Sequence, residues 1–226
     1  MVRASTEAVN EAGPVVQASA HHLAETGARS RRSRQLREPG RLACAIGSLD
    51  SEAMKALIRD VYGGPEVLEV REVPTPTPGP GEVLVRARAS SVNMADVDYV
   101  LGRPRAARIA TGLRTPRARI PGIDMAGEIE SIGSDVDRFT PGDRVMADLF
   151  DAGSGAWAEY VAVPASALTA IPDGVSFEAA GATPSAGVFA IQGARDKRPI
   201  EPGDRVLVNG ASGNVGVFAV QISKSM

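Results

Sequence analysis

From Pro74 to Gly81 the chain reads Pro-Thr-Pro-Thr-Pro-Gly-Pro-Gly, and this run limits what the segments on either side of it can become. A proline has no backbone donor and a fixed φ, so such a run excludes both a helix interior and a central strand. It predicts an extended connector. Short β-prone runs flank it, Lys55 to Asp60 and Val67 to Val73 before it and Glu82 to Ser91 after it, the last alternating apolar and polar residues as a half-buried strand does. Ile120 to Ile132, Arg144 to Asp148 and Ala156 to Pro164 supply further strands, with Pro141-Gly142-Asp143 as a turn. Short strands broken by Gly and Pro predict an all-β unit. The basic segment Gly102 to Arg119 is long for a loop inside a compact domain and marks a functional or mobile flap.

After Ile171-Pro172-Asp173-Gly174 the pattern turns helical. Ser176 stands as the N-cap of a short helix, and Thr183-Pro184 starts a second, with Val188 and Ile191 on its apolar face. Pro202-Gly203-Asp204 then turns the chain into the apolar strand Arg205 to Asn209, and Gly210 to Gly216 leads into a helix beginning at Val217.

A strand, a glycine-rich turn and a helix in that order suit a dinucleotide pyrophosphate, because free amides and the positive end of the helix dipole meet the phosphates. The turn comprises Asn209, Gly210, Ala211, Ser212, Gly213, Asn214, Val215 and Gly216, with Ala211 where the first glycine of G-x-G-x-x-G would stand. Gly213 would admit phosphates to the backbone, and Gly216 would let the helix lie close to the strand. A tight strand-to-helix turn that binds nothing has the same local sequence.

Composition narrows the function classes. Acidic and basic residues nearly balance, at a net charge of -2, so no overall field draws the chain to nucleic acid or to a membrane, and a small molecule is the expected partner. No stretch approaches the roughly 20 apolar residues of a spanning helix. A single cysteine, Cys44, excludes an internal disulfide framework and a four-cysteine zinc site and suits a reducing cytoplasm. Residues 1–53 show no sustained apolar period and are expected to be disordered, their arginine cluster (Arg29, Arg31, Arg32, Arg34, Arg37, Arg41) solvated. Leu42-Ala43-Cys44 lacks the preceding apolar segment that a lipoprotein signal needs. Met54, which opens the first convincing strand, is a candidate for the natural start.

From Met54 to Met226 the residues resemble the medium-chain dehydrogenase/reductase superfamily, and within it the quinone oxidoreductase (zeta-crystallin-like) branch. The resemblance rests on Pro78-Gly79-Pro80-Gly81-Glu82-Val83-Leu84-Val85, Ser91-Val92-Asn93, Pro121-Gly122-Ile123-Asp124-Met125-Ala126-Gly127, Pro141-Gly142-Asp143-Arg144-Val145 and the turn from Val208 to Gly216, all in order. It implies a mainly β GroES-like barrel over residues 54–175, then the start of an α/β Rossmann domain over 176–226, incomplete at its C-terminus. Substrate and nicotinamide would meet between the two.

The resemblance also implies a chemistry. Zinc-dependent relatives carry a cysteine in place of Asn93 and a His-Glu pair in place of Ile123 and Asp124, so no metal site is expected here. Without a Lewis acid, hydrogen-bond donors must polarise the substrate carbonyl, which suits a quinone or an enone. Asn93 is the residue expected to orient that carbonyl, or else to pin the loop that follows it. Tyr99 is a second candidate donor, Asp96 has a structural role, and Phe189 replaces a threonine that contacts the nicotinamide in many relatives. NADPH is expected in preference to NAD, and the family is often homo-oligomeric. These 226 residues, with one strand and one turn of the nucleotide domain, are expected to be inactive alone. Two other readings are a non-catalytic GroES-like binding module and an enoyl-reductase-like piece of a larger synthase.

Overall fold

Valines at alternate positions of β4 (Glu82–Ser90) and β7 (Tyr160–Pro164) point to one side, so Val83, Val85, Val161 and Val163 are buried together, while Leu84 between the first two is buried on the opposite face. The computed structural model describes residues 16–18, 52–196 and 199–226. These residues fall into two compact units, one ending at Ser185 and one beginning at Ala186 and including Val16–Ala18.

The first unit is built on a five-stranded antiparallel sheet. Its strands β4, β5 (Asp124–Ile132), β6 (Arg144–Asp148), β7 and β8 (Leu168–Ala170) lie in the order β7-β4-β5-β6-β8. The two ends do not pair, so the barrel implied by the family is not closed. A separate antiparallel pair, β2 (Ala53–Ile58) and β3 (Glu69–Pro74), meets the region before β7 through the bridge Ala56–Ala158 and the bond from Leu57 N to Trp157 O at 2.8 Å. Pro74, expected in the connector, instead closes β3 opposite Ala53, the strand end being a place that tolerates a residue without a donor, and Thr75 to Gly81 separate β3 from β4.

Central strand β5 is covered on both faces. On one, Met125 and Ile129 join Val83, Val85, Val145 and Leu168 in the main core. On the other, Ala126 meets Ala180 of α3 (Phe177–Gly181). Small residues permit the approach of α3 to the sheet: a Cβ on Gly181 would lie 3.1 Å from the Ala89 backbone of β4. Each fully buried valine or leucine contributes about 1.5–3 kcal/mol.

Several boundaries differ from the sequence expectation. Strand β3 starts at Glu69 because Pro65–Val67 form a 3-10 turn, and β5 starts at Asp124 because Gly122 adopts a positive φ of 98°. The segment after Ser91 contains an unexpected helix, α1 (Met94–Leu101). The 102–119 segment is no open loop either. It holds a 3-10 turn at Arg105–Ala107 and helix α2 (Arg108–Thr111), anchored by Tyr62 Oη on the Gly112 carbonyl at 2.8 Å.

Ser176 caps α3 through a 3.2 Å bond from the Ala179 amide, and Pro184 opens α4 (Pro184–Arg195), both as expected. In the second unit, β9 (Val206–Val208) pairs in parallel with β1 (Val16–Ala18) and leads to α5 (Asn214–Ser225). Apart from Val16–Ala18, Glu52 and Ala53, the segment expected to be disordered lies outside the described residues.

Candidate active site

Asn93 ends the extended chain and starts α1. Its Oδ1 accepts from the amides of Ala95 (2.8 Å) and Asp96 (3.1 Å), and Asp96 Oδ2 accepts in return from the Asn93 amide at 3.0 Å. This reciprocal capping box satisfies donors that a helix start leaves free. The same bonds orient the amide group: with Oδ1 facing two N–H donors, Nδ2 faces Asp124 Oδ2 at 3.1 Å. One of its two N–H groups is used there. Tyr99 sits in the last turn of the same helix, six residues on and about 9 Å along the axis, so the structure does not bring the two candidates together.

Asp124 organises this region. Its Oδ2 also accepts from Ser91 Oγ at 2.9 Å, and its Oδ1 accepts from the Ser185 amide at 2.8 Å. Ser185 Oγ donates to Asp148 Oδ2 at 3.1 Å, so hydrogen bonds link β5, β6 and the start of α4. Asp96, 1% exposed, has its carboxyl pushed up to about 6, chiefly by burial, with the Asp124 charge adding. The Asn93 amide opposes this, and the Ile123 amide does so without reaching hydrogen-bond geometry. Asp96 Oδ1 has no partner among the described residues. Burial likewise raises Asp148, against the Phe150 amide and the Ser185 hydroxyl.

Tyr99 packs against a cation that sequence reasoning missed. Arg59 is fully buried, donates from Nη1 to the Tyr99 carbonyl, and lies 4.8 Å from the Tyr99 ring centre and 5.2 Å from that of Tyr62. Its Nε and Nη2 find no partner among the described residues, and burial lowers its pKa. Gly102 closes α1 in the left-handed region (φ 66°), where a Cβ would meet the Tyr62 ring at 2.6 Å.

The glycine turn lies in the second unit. Gly210 takes a φ of 80°, and its carbonyl accepts from Gly213 N at 2.9 Å. Gly213 is an extended N-cap with no side-chain cap, so α5 starts at Asn214, three residues before the expected Val217. Without a side-chain cap, the first-turn amides of Asn214, Val215 and Gly216 have no intrahelical partner. Asn209, Ala211 and Ser212 are exposed beside them. Gly216 is buried, where a Cβ would overlap the Gly210 carbonyl and lie 2.7 Å from Ala211 Cα. This is the close strand-to-helix packing expected of the last glycine. Phe189 lies partly exposed on α4.

The capping pair Asn93 and Asp96 carried a usable signal, an N-cap residue followed three positions later by an acid. No comparable signal marks Ser185, Asp148 or Arg59.

Residues 79–173 match the alcohol dehydrogenase GroES-like domain. The chain is 38% identical over 166 residues to a quinone oxidoreductase of Pseudomonas aeruginosa, covering 73% of this chain and 48% of that protein. Among solved structures it resembles the quinone oxidoreductase from Coxiella burnetii (TM-score 0.68, 30% identity, 77% of this chain and 54% of that one). It also resembles CurK enoyl reductase (TM-score 0.70, 26% identity, 77% and 52%). The chain spans about half the length of the curated relatives it matches. Residues 79–173 therefore carry an alcohol dehydrogenase GroES-like domain, and over the matched length the chain is similar to quinone oxidoreductases of the medium-chain dehydrogenase/reductase family.

Proposed function

We propose that this chain is part of an NADPH-dependent reductase of quinones or enones that works without zinc. Support comes first from the turn at Asn209 to Gly216, where an uncapped helix start and a glycine at its N-cap suit a pyrophosphate. The amides of Asn214, Val215 and Gly216 would hold the phosphates, with Ser212 beside them. When bound, the reduced nicotinamide supplies the hydride.

Asn93 is the proposed carbonyl-orienting residue, since its Nδ2 keeps one N–H beyond the bond to Asp124 and its Oδ1 is locked by the cap. A donor fixed in this way stabilises developing charge on an oxygen without having to reorganise. Tyr99, held by Arg59, is the weaker candidate for a second donor. The donor set supports chemistry without zinc: Asn93 and Ile123 are poor ligands, and the Asp124 oxygens accept from Ser91, Asn93 and Ser185. Among the described residues no three His, Cys, Asp or Glu converge to hold a metal. Metal analysis after dialysis tests this, and one zinc held per chain would overturn it.

The likeness to CurK enoyl reductase favours a second reading, reduction of an enoyl group within a larger synthase. Both readings require more of the nucleotide domain than one strand and one turn, so the 226 residues alone are expected to show no appreciable turnover. The deciding assay follows NADPH oxidation with a simple quinone and with an enoyl thioester. It compares this chain with one continued by a complete nucleotide domain. Turnover by the 226 residues alone, or none by the longer chain with either substrate, would sink the proposal.

A further inference from the structure

We infer that the segment from Arg103 to Arg119 is a docking surface for an anionic lipid bilayer. The near-neutral balance of the whole chain hides a local excess, because these 17 residues hold six arginines and no acid. Arg119 pairs with Asp60 outside the segment. Arg108 and Arg117 donate to the carbonyls of Gly102, Leu101 and Ala110, which fixes the backbone, and neither meets a carboxylate among the described residues, although Arg108 also lies 4.4 Å from the Tyr62 ring centre. Arg103, Arg105 and Arg114 are exposed and form no ion pair among the described residues.

Two large aliphatic side chains stand among these cations. Ile109 is 74% exposed and Leu113 is 68% exposed. Cations around outward-facing aliphatic groups fit the boundary between headgroups and acyl chains, where both kinds of contact are satisfied together. The platform that presents them is built. Tyr62 Oη holds Gly112, the Arg117 amide donates to the Thr111 carbonyl at 2.8 Å, and Pro116 is buried. A single-stranded nucleic acid would also answer the charge, but it binds through stacking on aromatic rings, and residues 103–119 contain none.

Vesicle flotation of the full chain tests this, with phosphatidylcholine alone against phosphatidylcholine mixed with phosphatidylserine, at low and high salt. Capture is expected only on the mixed vesicles and is expected to fall with salt. Each arginine near the surface is worth about fivefold in partitioning, so Arg103→Gln/Arg105→Gln/Arg114→Gln should weaken capture about a hundredfold. Ile109→Ser/Leu113→Ser should weaken it while leaving the remainder salt-sensitive. All five positions are exposed, and circular dichroism should show the fold unchanged. Equal capture on pure phosphatidylcholine would overturn the inference. So would unchanged capture of the triple variant, which would assign the attraction to the Arg29 to Arg41 cluster. A third overturning result is tighter binding to a single-stranded RNA homopolymer that the Ile109/Leu113 variant does not alter.

Discussion

Asn93 donates to Asp124 across 3.1 Å with one end of its side-chain amide while the other end caps α1. One side chain therefore fixes both the start of a helix and its distance from the central strand. Truncation is expected to act on both. Asn93→Ala should lower stability by about 1 kcal/mol through the lost cap. In the form carrying a complete nucleotide domain, turnover should fall on the order of a hundredfold. NADPH affinity should stay nearly constant. Denaturant titration and steady-state kinetics check these effects separately, and an equal loss in affinity and turnover would make Asn93 structural only.

The buried carboxyl of Asp96 should make stability depend on pH in an unusual direction. Its folded pKa of about 6 lies above the unfolded value of about 3.9, so between them the folded state binds more protons than the unfolded state. Stability is then highest below the unfolded value and falls as pH rises through the folded one, by about 2–3 kcal/mol. Asp148, also raised, acts in the same sense. Asp96→Asn retains an acceptor for the Asn93 amide and should flatten this slope. Urea midpoints across the window, for both proteins, measure it.

Gly213 and Gly216 separate binding from folding. Gly213→Asp places bulk and negative charge beside the first-turn amides of α5, so in the form carrying a complete nucleotide domain NADPH binding followed by fluorescence should be abolished with the fold intact. Gly216→Ala should instead destabilise the strand-to-helix turn by 1 kcal/mol or more, because its Cβ collides with backbone rather than with a side chain that can move. Thermal unfolding of the two variants should rank them in that order.

Arg59 has two buried donor atoms without partners among the described residues, which offsets much of what its contacts with Tyr62 and Tyr99 contribute. Arg59→Met keeps the length of the side chain and removes the unpaired donors, so it should cost less than about 1 kcal/mol. Arg59→Ala leaves a cavity between the rings and should cost about 3 kcal/mol. Similar losses in the two variants would show that the charge itself is needed.

Strand alternation made most of the five-stranded sheet legible in the sequence, because burial on one face imposes a period of two on β4, β6 and β7. Starts set by a cap, at Ser176 and Pro184, were legible for the same local reason. What escaped depends on contacts distant in sequence. Helix α1 is short, and its Val-Asp-Tyr-Val stretch is no better a helix former than a strand former, so its cap and the hold of Arg59 on its last turn decide the matter. Asp124 stands at a replaced zinc position, yet its partner Ser185 lies 61 residues away, and no local pattern announces such a pair.

The bridge between Ala56 and Ala158 also bears on how the chain folds during synthesis. The β2–β3 pair emerges early, but the strip of backbone it docks on is made about a hundred residues later. At roughly 5–20 residues per second that is a wait of roughly 5–20 s. A two-stranded ribbon is marginal by itself in water. Until the docking strip arrives, the Met54 and Ile58 side chains have no core to enter, so in this interval the nascent chain most needs a chaperone.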